Sequence, residues 1–318
     1  MSDSVSVIVP VYNSAATLEP LVRRLADTLA AAGRRYEIVL VNDGSRDGSW
    51  GRIAHLSGEY PHVRGINLMR NYGQHNALLC GIRAARYGTV VTIDDDLQHP
   101  PEEIPHLLAK LDEGYDVVYG VPVRETHGLW RDLASQVTKL VLQNAMGSAT
   151  ARNISAFRAF RTRIRDAFTA YHSPFISIDV LLTWGSTNFT AVPVRHEARQ
   201  VGGSNYTFRK LVTHALNMTT GFSVAPLQLA SLIGFSFTVF GALVLVYVLV
   251  RFVLQGGSIP GFPFLASIIV IFAGAQMLAL GIIGEYLARM HMRLMERPTY
   301  AVREVAESGG DEERDDRR

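Results

Sequence analysis

Two long apolar runs near the C-terminus restrict what this chain can fold into more than any other feature. Residues 227–250 and 264–283 contain no Asp, Glu, Lys or Arg. As helices they would extend about 36 Å and about 30 Å, against a hydrocarbon core roughly 30 Å thick. Uncharged lengths of this size are rare in a soluble core, and only residues 251–263 separate them, so they read as a membrane hairpin. Arg209 and Lys210 precede it; Arg289, Arg293 and Arg297 follow it. The positive-inside bias then predicts that both flanks face the cytoplasm in a multi-pass protein of the inner cell membrane. Arg251 is a single opposing charge that can snorkel to the outer interface. Residues 208–222 set Leu211, Val212, Leu216 and Met218 against Arg209, Lys210 and His214, a pattern suited to a helix in the membrane interface.

Hydrophobic residues make up 48% of the 318-residue chain and mean hydropathy is +0.12, with the excess after Pro226. Ahead of it, strand and helix patterns alternate at short intervals. Residues 5–11 (VSVIVPV) and 36–41 (YEIVLV) are continuous apolar runs, as expected of parallel strands buried on both faces. Further strands are predicted at 63–68, 89–93, 116–121 and 189–194. Helical spacing places Leu18, Leu21, Val22, Leu25 and Leu29 on one face, and Trp50, Ile53 and Leu56 on another. More helices are predicted at 76–85, 102–111, 130–146 and 176–184, with an Arg-rich turn around 155–160. Such alternation predicts an α/β domain of doubly wound type. In such folds ligands gather at the carboxyl ends of strands. Here Tyr12-Asn13, Asp43, Arg70-Asn71 and Asp94 to Asp96 all fall at those ends.

The expected division is a cytoplasmic domain at 1–206, an interfacial helix at 207–225, spans at 226–254 and 263–285, and a cytoplasmic segment at 286–318. The mixed charges from residue 308 onward suggest a disordered tail. Residues 1–4 lack a basic region followed by an apolar core, so no cleavable signal peptide is expected. Cys80 is the only cysteine, which excludes a disulfide framework and suits a small apolar packing role. A net charge of +2 singles out no class of charged partner, and nucleic acid is not expected as one.

The acidic stretch Asp94-Asp95-Asp96 follows the apolar residues Val90, Val91 and Ile93 and precedes Pro100-Pro101. Carboxylates crowded at a strand end repel one another unless a cation sits among them. The usual neutraliser is a hard divalent ion, Mg²⁺ or Mn²⁺, which also attracts phosphate oxygens. The competing reading is a solvated acidic turn capping the next helix.

Taken together, Val9-Pro10-Val11-Tyr12-Asn13, Asn42-Asp43-Gly44-Ser45-Arg46-Asp47, Arg70-Asn71-Tyr72-Gly73-Gln74-His75 and Asp94 to Pro101 resemble the family-2 glycosyltransferases of GT-A fold. Within these the chain is similar to polyprenyl-phosphate glycosyltransferases, such as dolichyl-phosphate mannose synthase, the bactoprenol glucosyltransferases and the undecaprenyl-phosphate formamido-arabinose transferase. The resemblance runs from about residue 5 to 300. It implies that Asp94, Asp96 and Gln98 ligate the cation, which bridges the diphosphate of a nucleotide-sugar. It implies that Pro10, Tyr12 and Asp43 hold the base and ribose, with Asn13, Arg70 and Asp95 also on the donor side. For Asp43, an Asx turn capping the next helix is an almost equal alternative. Arg124, Arg131, Ser135 and Arg199 match positions used near the lipid phosphate of the acceptor, and Arg131 and Arg199 join Asp94 and Asp96 as catalytic candidates. An arginine-lined face against anionic lipid is the other account of these arginines.

A lipid phosphate is already an anion near neutral pH. The chemistry therefore needs cations that position the acceptor and screen its repulsion from the diphosphate more than it needs a strong base. The chain departs from the family pattern at Ser14, Asp95, Arg152-Asn153 and Asn205. The expected activity is inverting transfer of a sugar, UDP-linked by expectation, to undecaprenyl phosphate at the cytoplasmic leaflet, by a protein whose relatives suggest a homotetramer. The alternatives are a processive polysaccharide synthase, which the missing Gln-x-x-Arg-Trp pattern and the two spans disfavour, and an inactive nucleotide-sugar-binding scaffold.

Overall fold

The computed structural model describes residues 4–122, 154–172, 176–197, 225–255, 261–295 and 297–308. The predicted helix at 130–146, the interfacial segment at 208–222, and Arg124, Arg131, Ser135, Arg152, Asn153, Arg199 and Asn205 lie outside the described residues. The chain divides into two units, Met1–Leu211 with Glu296–Arg318, and Val212–Met295.

In the first unit the β-branched runs form the centre of an eight-stranded sheet. Its strands are β1 (Ser4–Val11), β2 (Arg35–Asn42), β3 (Val63–Leu68), β4 (Thr89–Thr92), β5 (Val117–Pro122), β6 (Arg158–Arg161), β7 (Phe189–Val194) and β8 (Val302–Glu307), in spatial order β7-β5-β6-β4-β1-β2-β3-β8. β1 pairs in parallel with both β2 and β4, and β2 with β3. Helices α1 (Ala15–Ala31), α2 (Ser49–Glu59) and α4 (Ile104–Asp112) pack one core with Val5, Val7, Val9 and Val11. Helices α3 (Gln74–Ala84) and α5 (Ile178–Gly185) pack the other with Ile8, Val39 and Val41. Both faces are covered, which is why the strands read as unbroken apolar runs.

Two strands depart from a simple parallel reading. The segment expected as an Arg-rich turn forms β6, inserted antiparallel between β4 and β5. Its alternation is real but short: Phe157 and Ala159 enter one core and Phe160 the other. Arg158 obscures the pattern because it opens the strand as a charged residue that is only 2% exposed. Its guanidinium is neutralised by Asp179 on α5, to which Tyr119 also donates at 3.0 Å, and it donates to the Thr92 hydroxyl at 3.2 Å. At the opposite edge β8 pairs antiparallel with β3. Its sequence (VREVAE) mixes polar and apolar residues without strict alternation, and it closes an edge that would otherwise offer unpaired amides.

Cys80 on α3 is 3% exposed, and burial pushes its thiol up to about 12. The reactive thiolate is therefore absent at neutral pH. Iodoacetamide should leave Cys80 unmodified in the native protein and alkylate it in denaturant, as read by mass spectrometry.

Among the described residues, the second unit holds α6 (Ala225–Gln255) and α7 (Phe262–Leu294). The ring of Phe237 meets that of Phe272 edge-on at 5.4 Å. A Cβ at Gly241 would lie 3.0 Å from the Phe272 ring, so the glycine admits this close approach. Leu232, Phe235, Val253 and Met277 are more than half exposed. Two segments, Pro226–Arg251 and Ile271–Met292, are long and apolar enough to cross a membrane, with mean hydropathy 2.4 and 1.5. The hydroxyls of Ser231, Ser236 and Thr238 donate to carbonyls four residues back, so these polar groups need no water.

Candidate active site

The chain crosses from β3 past β1 to reach β4, so the sheet reverses its order of winding between β1 and β4. Outside the carboxyl ends of such neighbours a crevice opens, because their loops leave in opposite directions. A cavity of about 260 Å³ occupies this position, lined by Pro10 and Tyr12 at the end of β1, Asp43 after β2, Asn71, Gly73 and Gln74 at the start of α3, and Asp94 to Asp96 after β4. Thus Pro10, Tyr12, Asp43, Asp94, Asp95 and Asp96, chosen from sequence, converge, while Asn13, Arg70 and Gln98 lie outside the lining.

Asp43 is 2% exposed and turns both oxygens to backbone: Oδ1 accepts from the Tyr72 amide at 2.7 Å and Oδ2 from the Gly73 amide at 2.9 Å. It ties the loop after β2 to the loop after β3. Burial raises its pKa, and these two amides oppose the shift. The turn-capping role considered for Asp43 falls to neighbours: Asn42 Oδ1 accepts from the Ser45 amide at 3.3 Å, and Asp47 Oδ1 from the Ser49 amide at 3.0 Å. Gly44 has φ +63°, and a Cβ there would sit 2.4 Å from the Arg70 carbonyl carbon and the Asn71 nitrogen. Gly44→Ala should therefore separate the two loops, lowering stability by roughly 2 kcal/mol and weakening nucleotide binding, as measured by thermal unfolding and calorimetry.

The match to known families covers residues 6–170, just over half of the chain, and is to the glycosyl transferase family 2 model. The chain belongs to glycosyl transferase family 2. Its fold is the GT-A fold, similar to that of glucosyl-3-phosphoglycerate synthase from Mycobacterium tuberculosis, whose crystal structure contains Mn²⁺ and uridine-diphosphate-glucose. That similarity has a TM-score of 0.51 at 19% identity and covers 68% of this chain and 77% of that chain. Mannosyl-3-phosphoglycerate synthase from Rubrobacter xylanophilus matches with a TM-score of 0.50 at 17% identity, covering 67% and 71%. Residues 1–349 of S. aureus TarS match at 0.44 and 18%, covering 61% of this chain and 59% of that chain.

In this glycosyltransferase the acidic loop is held from several sides. Gln74 at the start of α3 donates to Asp94 Oδ1 at 2.7 Å. The Tyr12 amide donates to Asp95 Oδ2 at 3.2 Å, and the Gln98 amide to Asp96 Oδ1 at 3.1 Å. Leu97 between them takes φ 60°, an uncommon conformation for a bulky residue, and is buried. Asp95, which had no sequence-derived role beyond the donor side, thus steadies the Tyr12 backbone. Gln74 was not singled out by itself; its place in the Arg70 to His75 motif was the available signal. Arg70 stacks over the Tyr72 ring at 4.4 Å, and His75 Nδ1 accepts from the Ile178 amide at 3.4 Å. His99 stacks on Phe157 at 5.3 Å, and burial, then the charge of His196, lowers its pKa to about 4.

The segment after β7 is clipped to the far side of the acidic loop. The Glu197 amide donates to the Gln98 carbonyl at 2.8 Å, Arg195 pairs with Glu103, and Arg24 bridges Glu102 and Glu197. Burial, followed by the charges of Asp96 and Asp95, pushes Asp94 up to about 6, against the opposing pull of Arg158 and Gln74. The loop therefore carries more negative charge than its surroundings offset, and oxygen donors of this kind suit Mg²⁺ or Mn²⁺. Among the described residues no three His, Cys, Asp or Glu side chains form a ready cation cage. A cation here would take fewer than three such ligands from the described residues, and substrate phosphates or water commonly complete Mg²⁺-type sites.

Proposed function

We propose that this glycosyltransferase transfers a sugar from a uridine-diphosphate donor to a polyprenyl phosphate at the cytoplasmic face of a membrane. The observation that carries the donor side is the cavity at the switch point, where Tyr12, Asp43 and the three aspartates share one crevice. The similar glucosyl-3-phosphoglycerate synthase holds Mn²⁺ and the same class of donor on the same fold. Asp94 and Asp96 are the residues that would hold a divalent cation, and Gln98 would join them through its side chain. Such a cation, when bound, supplies the positive charge that stabilises a departing nucleoside diphosphate.

The chain's own groups orient the partners. Tyr12 is 48% exposed at the cavity mouth, where its ring can stack on a base, while Asp95 fixes its backbone. Asp43 keeps the two donor-side loops together. On the acceptor side, Arg124, Arg131 and Arg199 with Ser135 would position the lipid phosphate. A lipid acceptor is supported by the exposed apolar surfaces of α6 and α7, which in water would cost far more than a folded domain can sustain.

The deciding experiment incubates the purified full chain with undecaprenyl phosphate, Mg²⁺ or Mn²⁺, and a panel of nucleotide-sugars, reading the lipid product by mass. One donor should give a metal-dependent glycosyl-phospholipid. Binding of uridine diphosphate without lipid product from any donor would remove the lipid-acceptor reading, and absence of nucleotide binding would remove the donor reading.

A further inference from the structure

Near the carboxyl ends of β2 and β3, one row of the sheet carries polar side chains that bond to one another. Strand register aligns Val11 with Asn42, Asn42 with Asn67, and Asn67 with Glu304, across β1, β2, β3 and β8. Paired residues project to the same face, so the three polar side chains meet in one line. Asn67 Nδ2 donates to Glu304 Oε1 at 2.9 Å, Asn42 Nδ2 donates to Asn67 Oδ1 at 2.7 Å, and Asn42 Oδ1 accepts from the Ser45 amide at 3.3 Å. Beyond Ser45, its hydroxyl accepts from the Asn13 amide at 3.0 Å, and Asn13 Oδ1 accepts from the Arg46 amide at 2.8 Å. Asn13 itself sits at φ 55°, next to Tyr12.

The same C-terminal segment holds the second donor loop. The Met69 amide donates to the Ala301 carbonyl at 2.9 Å, and Arg303 donates to the Met69 carbonyl at 3.0 Å. Met69 leads into Arg70 to Gly73, the stretch whose amides bind Asp43. Both loops that frame the cavity are thus wired to the strand that the chain enters after leaving α7.

We infer that Glu304, Asn67 and Asn42 are positioning residues for the nucleotide donor, acting as a hydrogen-bond relay from β8 to the loops after β1 and β2. Asn42 and Asn67 are 2% and 5% exposed, so their amides cannot turn to water if the relay is broken. The relay ends in a carboxylate, which accepts more strongly than a neutral oxygen and orients both amides in one sense. The inference rests on the reading that the nucleotide occupies the cavity beside Tyr12 and Asp43.

The strand supplies its own control. At its other end Glu307 pairs with Arg86 through two bonds of 2.5 and 3.0 Å, away from the donor loops. Full-length protein carrying Glu304→Ala, Glu304→Gln or Glu307→Ala should be compared for uridine diphosphate affinity, donor KM and kcat, and amide hydrogen exchange over residues 12–14 and 43–49. Glu304→Ala should bind nucleotide about tenfold more weakly and raise donor KM with kcat little changed, since uniform binding is lost. Exchange in both loops should accelerate. Glu304→Gln keeps an acceptor for Asn67 and should restore all three, and Glu307→Ala should leave them as in wild type. Equal effects of Glu304→Ala and Glu307→Ala would reduce β8 to an edge strand and overturn the relay. If wild type binds no uridine nucleotide, the donor reading fails, and the exchange data alone decide the relay.

Discussion

Asp96→Ala should lower sugar transfer by about a hundred- to a thousandfold, the loss typical of removing one group that stabilises charge developing on a leaving group. Asp96 has two separable roles. Its Oδ1 accepts from the Gln98 amide and so shapes the turn around Leu97, and its charge adds to burial in raising Asp94. Asp96→Asn keeps an acceptor for the Gln98 amide and removes the charge. If Asp96 holds a cation, the Asn variant should be as inactive as the Ala variant, and Mn²⁺ binding followed by electron paramagnetic resonance should weaken in both. Full activity in Asp96→Asn would assign the residue to the turn alone.

The largest effect on stability is expected at Asp179. Asp179→Ala leaves Arg158, 2% exposed, as an uncompensated buried cation, and also removes the acceptor of the Tyr119 hydroxyl. Breaking one partner of such a pair costs about 3–5 kcal/mol, because the remaining charge keeps its desolvation penalty. Thermal unfolding of the detergent-solubilised chain should show the loss directly. Replacing both partners, Asp179→Leu with Arg158→Met, should recover most of it if the effect is the stranded charge. The double variant should still be impaired in transfer, since Arg158 donates to Thr92, two residues before Asp94, and its charge opposes the rise in the Asp94 pKa.

The residues that sequence reading chose for the donor side were found by their shared position after strands, and that criterion works because strand ends are where a parallel sheet must place its loops. Tyr12, Asp43 and Asp94 to Asp96 reach one cavity for this reason, while Pro10, which the family resemblance implied, lines it from within β1. Gln74 and the Tyr72 and Gly73 amides escaped notice. Nothing in a glutamine at a helix start says that it will meet a carboxylate twenty positions later, and backbone amides leave no trace in residue identity. β6 was missed because four residues with a buried arginine do not present a recognisable period, although Phe157, Ala159 and Phe160 already alternated.

The sequence by itself determined the apolar strands, the helical faces, the two apolar C-terminal runs and the clustering of polar residues at strand ends; it did not determine how far the last helix continues, to Leu294. These are local properties, set by residue burial repeating every two or 3.6 positions. Tertiary structure decided who holds whom: Asp95 against the Tyr12 amide across 83 residues, Asp43 against Tyr72 across 29, and Glu304 against Asn67 across 237. Such pairings depend on sheet order and register, which no stretch of chain carries alone, and they turn a set of polar strand ends into a braced cavity.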